Sequence, residues 1–412
     1  MGLIFKIINT MKNLYIIFFC TIILFSCNDD FAHKPIGGES GTTPDPVRSA
    51  RVLYNKPGGA VIAYDLPDNV DIQYIKAEFT NTAGVTRDVK TSSYIDTIEI
   101  SGLGNTEPRT VKLYTVNRKE KVSEPVEIII NPLTPTIESI KNSMGFSVDF
   151  GGFLLQFSDN IVKEEVSIYI LKKGEGENEM VEHQILYTAQ ESDTIAVRGL
   201  LAEETTFGVF VRDRWDNISD TVFFSMTPWR EDYLDKKEMK YISIAGDVTW
   251  NNYSGGANDR AYDDIIGNGN YIHTAFPIEF PHRYTLDLGV EVKLSRFLLW
   301  QRPGADVLYQ HGAPKHFRVY GRLDDPGAGN VENPLDGWIL LNECTSFKPS
   351  GLPLGQNSAE DEAYAAAGEE YIFPRNIPTV RYVRFEMLES WSGMKCSVVS
   401  ELAFYGEIKD EQ

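Results

Sequence analysis

The feature that most constrains the fold of this chain is a segment that occurs twice, 96 to 97 residues apart. Its first copy spans residues 102–123 and its second copy spans 199–219. In each copy a Gly-Leu turn precedes a run of alternating apolar residues, and a polar turn that ends in Ser follows. A repeat of this length with period-two alternation is typical of β-sandwich modules. Residues 51–227 are therefore predicted to form two such modules.

A short proline-containing segment separates the two copies. Pro132-Leu133-Thr134-Pro135 contains two prolines, which end strand pairing and stiffen a linker. We therefore predict one module over 51–132 and a second over 133–227. The order of Gly-Leu turn, alternating strand and Ser-terminated turn resembles fibronectin type III-like domains. That resemblance implies an Ig/fibronectin-like β-sandwich for each copy.

Residues 228–412 differ in composition from the repeat, because five of the six tryptophans lie there. Three motifs follow one another: Arg-Tyr-Thr-Leu-Asp-Leu-Gly at 283–289, Arg-Tyr-Val-Arg at 381–384 and Glu-Leu-Ala-Phe-Tyr-Gly at 401–406. This order resembles discoidin (coagulation-factor type C) domains and the carbohydrate-binding modules that share their fold. The resemblance implies an all-β chain: two sandwiches followed by a galactose-binding-like β-jelly roll. It leaves the ligand open, because this fold carries many specificities.

The N-terminal segment predicts export. Lys12 precedes an apolar run at 14–25, which is shorter than the about 20 residues that span a bilayer, so the pattern indicates a signal peptide over 1–27. Ser26-Cys27 resembles the lipobox of bacterial lipoproteins, which implies that Cys27 is lipidated. The alternative is a cleaved signal with an incidental cysteine. Residues 28–50, rich in Gly, Ser, Thr and Pro, are predicted to be a flexible linker.

The charge of the chain argues against nucleic-acid partners. Removal of residues 1–26 takes away Lys6 and Lys12 but no acidic residue, so the net charge changes from −20 to −22. A surface this acidic repels phosphate backbones. After lipidation of Cys27, only Cys344 and Cys396 remain; they either pair or stay as two free thiols, and they are too few for a tetrahedral zinc site.

The loop between Gly246 and Tyr271 has the composition of a sugar-binding site. A sugar offers apolar C–H faces and hydroxyl groups, so its site needs an aromatic surface with polar side chains beside it. Trp250 and Tyr253 are predicted to supply the aromatic surface. Hydrogen bonds are expected from Asn251 in this loop and from Arg302 on a later loop. The alternative is that Trp250 and Tyr253 plug the end of the sandwich.

Two further candidates lie on later loops. Trp391 is flanked by Ser and Gly residues between two strand-like runs, so we expect it to contact ligand. His311, with its neighbours Tyr309 and Gln310, is predicted to lie at the rim of the site; nothing in the sequence supports His311 as a general base. Trp300 and Trp338 have strand contexts that indicate packing.

The turn Ala261-Tyr262-Asp263-Asp264 resembles the turn that holds a structural calcium ion in many modules of this fold. That resemblance implies that Asp263, Asp264 and the closing Glu401 bind calcium. Their carboxylates would supply part of the six to eight oxygen ligands that calcium takes. The alternative is an Asp-rich turn whose side chains cap local backbone amides.

The whole assembly resembles surface lipoproteins of Gram-negative glycan-utilisation systems. This resemblance implies a non-catalytic, lipid-anchored outer-membrane protein that faces outward and captures saccharide for a TonB-dependent importer with a companion glycan-binding lipoprotein. Two alternatives stay open: a surface adhesin or assembly protein, and a glycoside hydrolase. The sequence contains no Gly-x-Ser-x-Gly motif and no segment of catalytic-domain size.

Overall fold

The computed structural model describes residues 42–68, 71–176, 179–250 and 257–410. The signal peptide, Cys27 and most of the predicted linker lie outside these residues. Strands dominate the described chain and form three successive β-sandwich units, so the predicted all-β fold class is confirmed. Within the described ranges, none of the helices has the length and apolarity that crossing a membrane requires.

The first unit is a sandwich of two antiparallel sheets. Sheet order is β1-β2-β5 on one side and β4-β3-β6-β7 on the other. The strands are β1 (Arg48–Lys56), β2 (Gly59–Asp65), β3 (Ile72–Thr80), β4 (Thr86–Ser92), β5 (Thr97–Ile100), β6 (Arg109–Asn117) and β7 (Val126–Ile130). Alternate residues of β3, Ile75, Ala77 and Phe79, are buried in the core between the sheets. This period-two burial is what the sequence alternation predicts.

The second unit repeats that topology after one added helix. The helix is α1 (Thr136–Ser143), and the strands are β8 (Gly145–Asp149), β9 (Gly152–Phe157), β10 (Val166–Lys173), β11 (Met180–Thr188), β12 (Asp193–Val197), β13 (Thr205–Asp213) and β14 (Val222–Met226). Sheets β8-β9-β12 and β11-β10-β13-β14 enclose a core of aliphatic residues and phenylalanines. Both units therefore have the three-plus-four strand arrangement of fibronectin-like sandwiches.

The two copies of the sequence repeat form the same hydrogen bonds at their closing serine residues. Ser123 Oγ accepts from the backbone N–H of Thr115 at 3.0 Å, and Ser219 Oγ accepts from that of Val211 at 2.9 Å. Each serine hydroxyl also donates to the carbonyl of the residue after it. The buried serine thus closes the same turn beside β6 and β13, which explains why it ends both copies of the repeat.

The third unit is the jelly roll. Its strands are β15 (Asp232–Tyr233), β16 (Lys240–Ile242), β17 (Ile272–His273), β18 (His282–Trp300), β19 (Pro314–Arg322), β20 (Ile339–Thr345), β21 (Glu369–Ile372), β22 (Val380–Ser390), β23 (Val398–Val399) and β24 (Glu401–Ile408), with helix α2 (Ala359–Ala367). The main sheet has the order β15-β24-β18-β22-β19-β20, with β16 and β21 also paired to β18, and β17 pairs with β23.

Strand β18 changes its pairing partner along its length. Its first part, from His282 to Asp287, pairs with β22, and its second part, from Val292 to Trp300, pairs with β24. Gly289 lies between the two parts with φ +79°, a left-handed conformation that glycine adopts at low cost. Phe297 in the second part packs against an aromatic group of the core, Phe317, Tyr371, Phe373, Phe385 and Phe404.

Candidate functional site

Loops at one end of the jelly roll enclose a cavity of about 200 Å³. They follow β17, connect β18 to β19, and connect β22 to β23. The cavity is lined by His273, Phe276, Arg302, Val307, Gln310, His311, Ala313, Met394, Cys396 and Val398. Two of the predicted ligand residues, Arg302 and His311, therefore line the same cavity, nine positions apart on the loop between β18 and β19. Gln310 lines the cavity beside them.

Arg302 is held in place from one side. Its Nε donates to the carbonyl oxygen of Asn268 at 3.0 Å and to Oδ1 of the same residue at 2.7 Å. Its guanidinium carbon lies 4.4 Å from the centre of the Tyr271 ring. Among the described residues, no carboxylate forms an ion pair with it. The two terminal nitrogens of Arg302 are thus available to a ligand, while stacking and Nε fix the side chain.

Two histidines lie beside Arg302. His273 comes from β17, and its ring Nδ1 contacts the carbonyl oxygen of Thr274. Burial lowers the pKa of His273, and the positive charge of Arg302 and the proximity of His311 lower it further. His273 is therefore a neutral imidazole near neutral pH. His311 is exposed on the loop before β19, with its Nε2 at 3.2 Å from the carbonyl oxygen of Asp306.

Phe276 forms the aromatic edge of the cavity. It is 54% exposed, although large apolar side chains are normally buried. An exposed ring beside hydrogen-bonding side chains is the arrangement that packs against the C–H face of a sugar. Neither Phe276 nor His273 was predicted from the sequence. The available signal was Phe276-Pro277, an aromatic residue before a proline in a loop, where a side chain has no strand partner to cover it.

The structure corrects the position expected for Trp250. Its side chain is fully buried, its Nε1 donates to the carbonyl oxygen of Arg283 at 2.6 Å, and its ring meets Tyr284 edge-on. It belongs to the jelly-roll core, so it offers no face to a sugar; this is the plug alternative. Asn251 and Tyr253, the other two candidates of that loop, lie outside the described residues.

Trp391 is also engaged by the protein. Its Nε1 donates to Ser346 Oγ at 3.0 Å, and its ring meets the buried Tyr309 edge-on at 5.3 Å. Ser346 in turn donates to the buried carboxylate of Glu369 at 2.7 Å. Trp391 is half-buried and is not among the residues that line the cavity. Its contact with ligand stays a prediction.

The residues expected to bind calcium are arranged around an ammonium group. Lys236 Nζ lies 2.7 Å from Asp264 Oδ1 and 2.7 Å from Glu401 Oε1. Asp263 instead accepts from the backbone N–H of Ile265 and from the amide of Asn270. A calcium ion would have to displace Lys236, so the residues as arranged do not fit a calcium cage. In the part of the chain that is described, no group of three or more His, Cys, Asp or Glu residues could hold a metal ion.

Cys344 and Cys396 are two buried free thiols, one of the two alternatives left open by the sequence. Burial raises the pKa of both thiols above their ordinary value, so neither is a ready nucleophile. Cys396 contributes an apolar wall to the cavity.

A SusE-like protein of solved structure is 33% identical to this chain, with 67% of this chain and 100% of that protein covered and a TM-score of 0.43. The chain belongs to the SusE-like protein family. Three domain models match successive parts of this family member, each described as a domain of unknown function: DUF4959 over 44–132, DUF5126 over 133–237 and DUF5000 over 259–406. No curated protein matches it.

Two other solved structures are similar to parts of this SusE-like chain. One is a family 32 carbohydrate-binding module from Clostridium perfringens in complex with galactose, with 16% identity, 42% of this chain and 98% of that chain covered, and a TM-score of 0.28. The other is a segment of two fibronectin type III domains from chicken tenascin, with 10% identity, 44% and 99% covered, and a TM-score of 0.22.

Proposed function

We propose that this chain is a non-catalytic cell-surface lipoprotein that binds saccharide in the cavity at the loop end of its jelly roll. The observation that carries the proposal is the convergence of Arg302, His273 and Gln310 beside the exposed ring of Phe276. Such a site combines an aromatic face with side chains that donate and accept hydrogen bonds, which is what a sugar requires. Membership of the SusE-like family supports the same role.

The composition of the cavity supports binding without catalysis. Glycoside hydrolysis generally uses two carboxyl groups that flank the scissile bond. None of the ten lining residues that the structure describes is Asp or Glu. Burial also keeps the neighbouring Cys396 in the thiol form. The described lining can therefore hold a sugar and contains no carboxylate pair that would cleave it.

The remaining parts of the proposal concern the cell surface. Lipidation of Cys27 would anchor the chain in the outer membrane, and the two fibronectin-like units would hold the jelly roll away from it. The captured saccharide would pass to a TonB-dependent importer that works with a companion glycan-binding lipoprotein. Labelling with a fatty-acid analogue tests the anchor: incorporation that is lost in Cys27→Ala supports it, and incorporation that persists in the variant rejects it.

A glycan array tests saccharide binding directly. The probe is the mature chain, residues 28–412, which contains every described residue. Shallow sugar sites bury little area, so dissociation constants of roughly 10 μM to 1 mM are expected. Phe276→Ala should weaken binding about five- to thirtyfold, because a stacked aromatic contributes on the order of 1–2 kcal/mol.

The jelly roll offers a matched control for this experiment. Phe347 is 58% exposed, close to the value for Phe276, but it lies beside Tyr364 rather than at the cavity. Phe347→Ala should leave glycan binding unchanged. Trp391→Ala tests the second predicted aromatic in the same assay. An array without any bound glycan, in a chain shown to be folded, would reject the proposal and favour a protein partner.

A further inference from the structure

The geometry of the cavity points to an anionic saccharide as its ligand, one that carries a carboxylate or a sulfate ester within reach of Arg302. The inference rests on the proposed function and names the class of sugar that the same site selects. It depends on the distribution of charge around the cavity.

Arg302 is the only residue of permanent charge among the ten described residues that line the cavity. The chain carries 59 acidic and 39 basic residues, so a cavity with one cation and no carboxylate contrasts with the chain as a whole. The segment 251–256, which is not described, contains no acidic residue in its sequence. Its placement therefore cannot bring a carboxylate to the guanidinium.

The nearby acidic side chains do not neutralise Arg302. Glu279, on the loop that carries Phe276, forms an ion pair with Lys395. Asp306 lies on the same loop as His311 and is exposed. Its contact with the His311 ring is made by its backbone carbonyl oxygen. Among described residues, no carboxylate accepts a hydrogen bond from the guanidinium, whose Nε donates to the backbone and side-chain oxygens of Asn268.

The orientation of Arg302 suits an anionic group in particular. Stacking on Tyr271 and the Nε hydrogen bonds hold the guanidinium plane, which leaves its two terminal nitrogens side by side. A pair of parallel N–H groups matches the two oxygens of a carboxylate or a sulfate, and such charge-assisted pairs are stronger than neutral hydrogen bonds. A neutral hydroxyl would use only part of this capacity.

The charge of the rest of the protein makes the selection specific. A net charge of −22 after signal removal repels polyanions at long range, so nonspecific attraction does not supply affinity for an acidic glycan. Binding of an anionic sugar must therefore come from a local site. His273 and His311 add hydrogen-bonding ring nitrogens beside the guanidinium without adding a carboxylate.

The test uses matched pairs of glycans on the same array with the mature chain. One pair is oligogalacturonate and its methyl ester, which differ in the carboxylate; the other is a sulfated galactan and its desulfated form. Binding of the anionic member with at least about tenfold preference over its neutral partner supports the inference. Which pair responds distinguishes a carboxylate from a sulfate ester.

Variants locate the preference. Arg302→Gln should reduce binding of the anionic glycan at least about tenfold, while Arg302→Lys should retain part of it. Arg51→Gln, an equal change of charge on the first unit, should have no effect. Equal binding of neutral and anionic members would overturn the inference and leave the proposed saccharide binding intact. Absence of any bound glycan would overturn both.

Discussion

The ammonium group of Lys236 lies 2.7 Å from Oε1 of Glu401, a residue 165 positions later in the chain. Both side chains are buried, at 6% and 1% exposure. Burial raises the pKa of Glu401 to about 7, and the ammonium opposes that rise by favouring the carboxylate. The same ammonium pairs with Asp264. A lysine of the chain thus supplies positive charge to the carboxylates that the sequence suggested for calcium, and it joins the segment after β15 to the last strand.

Calcium should therefore not stabilise the jelly roll. The reason is that Asp264 and Glu401 already share the ammonium of Lys236, and a calcium ion would have to displace it. The measurement is the thermal midpoint of unfolding with added calcium and with excess chelator. We expect equal midpoints. A midpoint that rises with calcium and falls with chelator would restore the calcium site that the sequence predicts.

Replacement of Lys236 should be strongly destabilising. Lys236→Met leaves Glu401 buried without its partner, and breaking a buried ion pair costs about 3 kcal/mol or more. Lys237→Met is the matched control, because Lys237 is exposed and its removal should change stability by less than about 0.5 kcal/mol. Urea unfolding measures both. Similar free energies for the two variants would show that the buried pair contributes little.

Two arginines of β22 should differ sharply in their contribution to stability. Arg384 is fully buried and contacts both carboxylate oxygens of Asp247, at 2.7 and 2.5 Å. Arg381 makes a similar pair with Asp287, but it is 41% exposed. Arg384→Met should cost about 3–5 kcal/mol because it strands a buried carboxylate. Arg381→Met should cost less, because Arg381 is partly in water and Asp287 keeps the hydrogen bond from the backbone N–H of Gly289. Equal losses in urea unfolding would contradict this ranking.

The repeat provides a paired test of the joint between the first two units. Gly102 and Gly199 occupy equivalent turns at φ +85° and +79°. Alanine at either position pays a left-handed backbone cost of roughly 1–2 kcal/mol. A Cβ on Gly102 would also lie 2.8 Å from carbons of the Trp215 ring, whereas a Cβ on Gly199 meets no atom within 4 Å.

Gly102→Ala should therefore destabilise the chain by about 1–3 kcal/mol more than Gly199→Ala. Thermal unfolding gives the comparison. In a Trp215→Ala background the difference between the two alanine variants should vanish, because the clash is removed. A difference that persists without the Trp215 ring would assign it to the backbone instead.

His282 should make the jelly roll less stable at mildly acidic pH. Burial lowers the pKa of His282, which lies between the carbonyl oxygen of Ile278 and the hydroxyl of Ser397. The unfolded chain then binds a proton more readily than the folded chain does. The stability that neutral His282 gives the folded state is therefore complete above about pH 6.5 and is lost as the pH falls towards the pKa of the folded state.

The slope of unfolding free energy against pH from this group is at most about 1.4 kcal/mol per unit. It should shrink in His282→Gln and persist in part, because the pKa of His273 is lowered in the same direction. Urea unfolding at several pH values measures the slope, and the NMR titration of the His282 ring gives its midpoint. A midpoint at or above about 6.5 would contradict the expectation.

Much of the fold could be predicted because its signals are local. Alternation over 110–117 and 206–213 predicts strands, and Ser123 and Ser219 close equivalent turns with their own backbone neighbours. The added helix α1 was not foreseen. It has no side-chain cap at Pro135, and its buried face rests on the second core, so tertiary packing rather than a local signal stabilises it.

The site was predictable only in part. Polar residues on loops at the end of a jelly roll predict Arg302 and His311 as ligand contacts, and both line the cavity, while their contact with a ligand stays a prediction. Trp250 was placed wrongly, since a polar neighbourhood in the sequence does not show whether an indole finds a buried acceptor such as the Arg283 carbonyl. Phe276 was missed because the loop that exposes it is defined by contacts with distant residues such as Lys395.

The sequence by itself determined the all-β class and the repeated sandwich, because strand alternation and turn chemistry act between near neighbours. Only the tertiary structure decided which loop residues share the cavity, that Trp250 belongs to the core and that Lys236 pairs with Asp264 and Glu401. Those outcomes depend on burial and on pairs separated by up to 165 positions, and desolvation selects among such pairs only when the chain has folded.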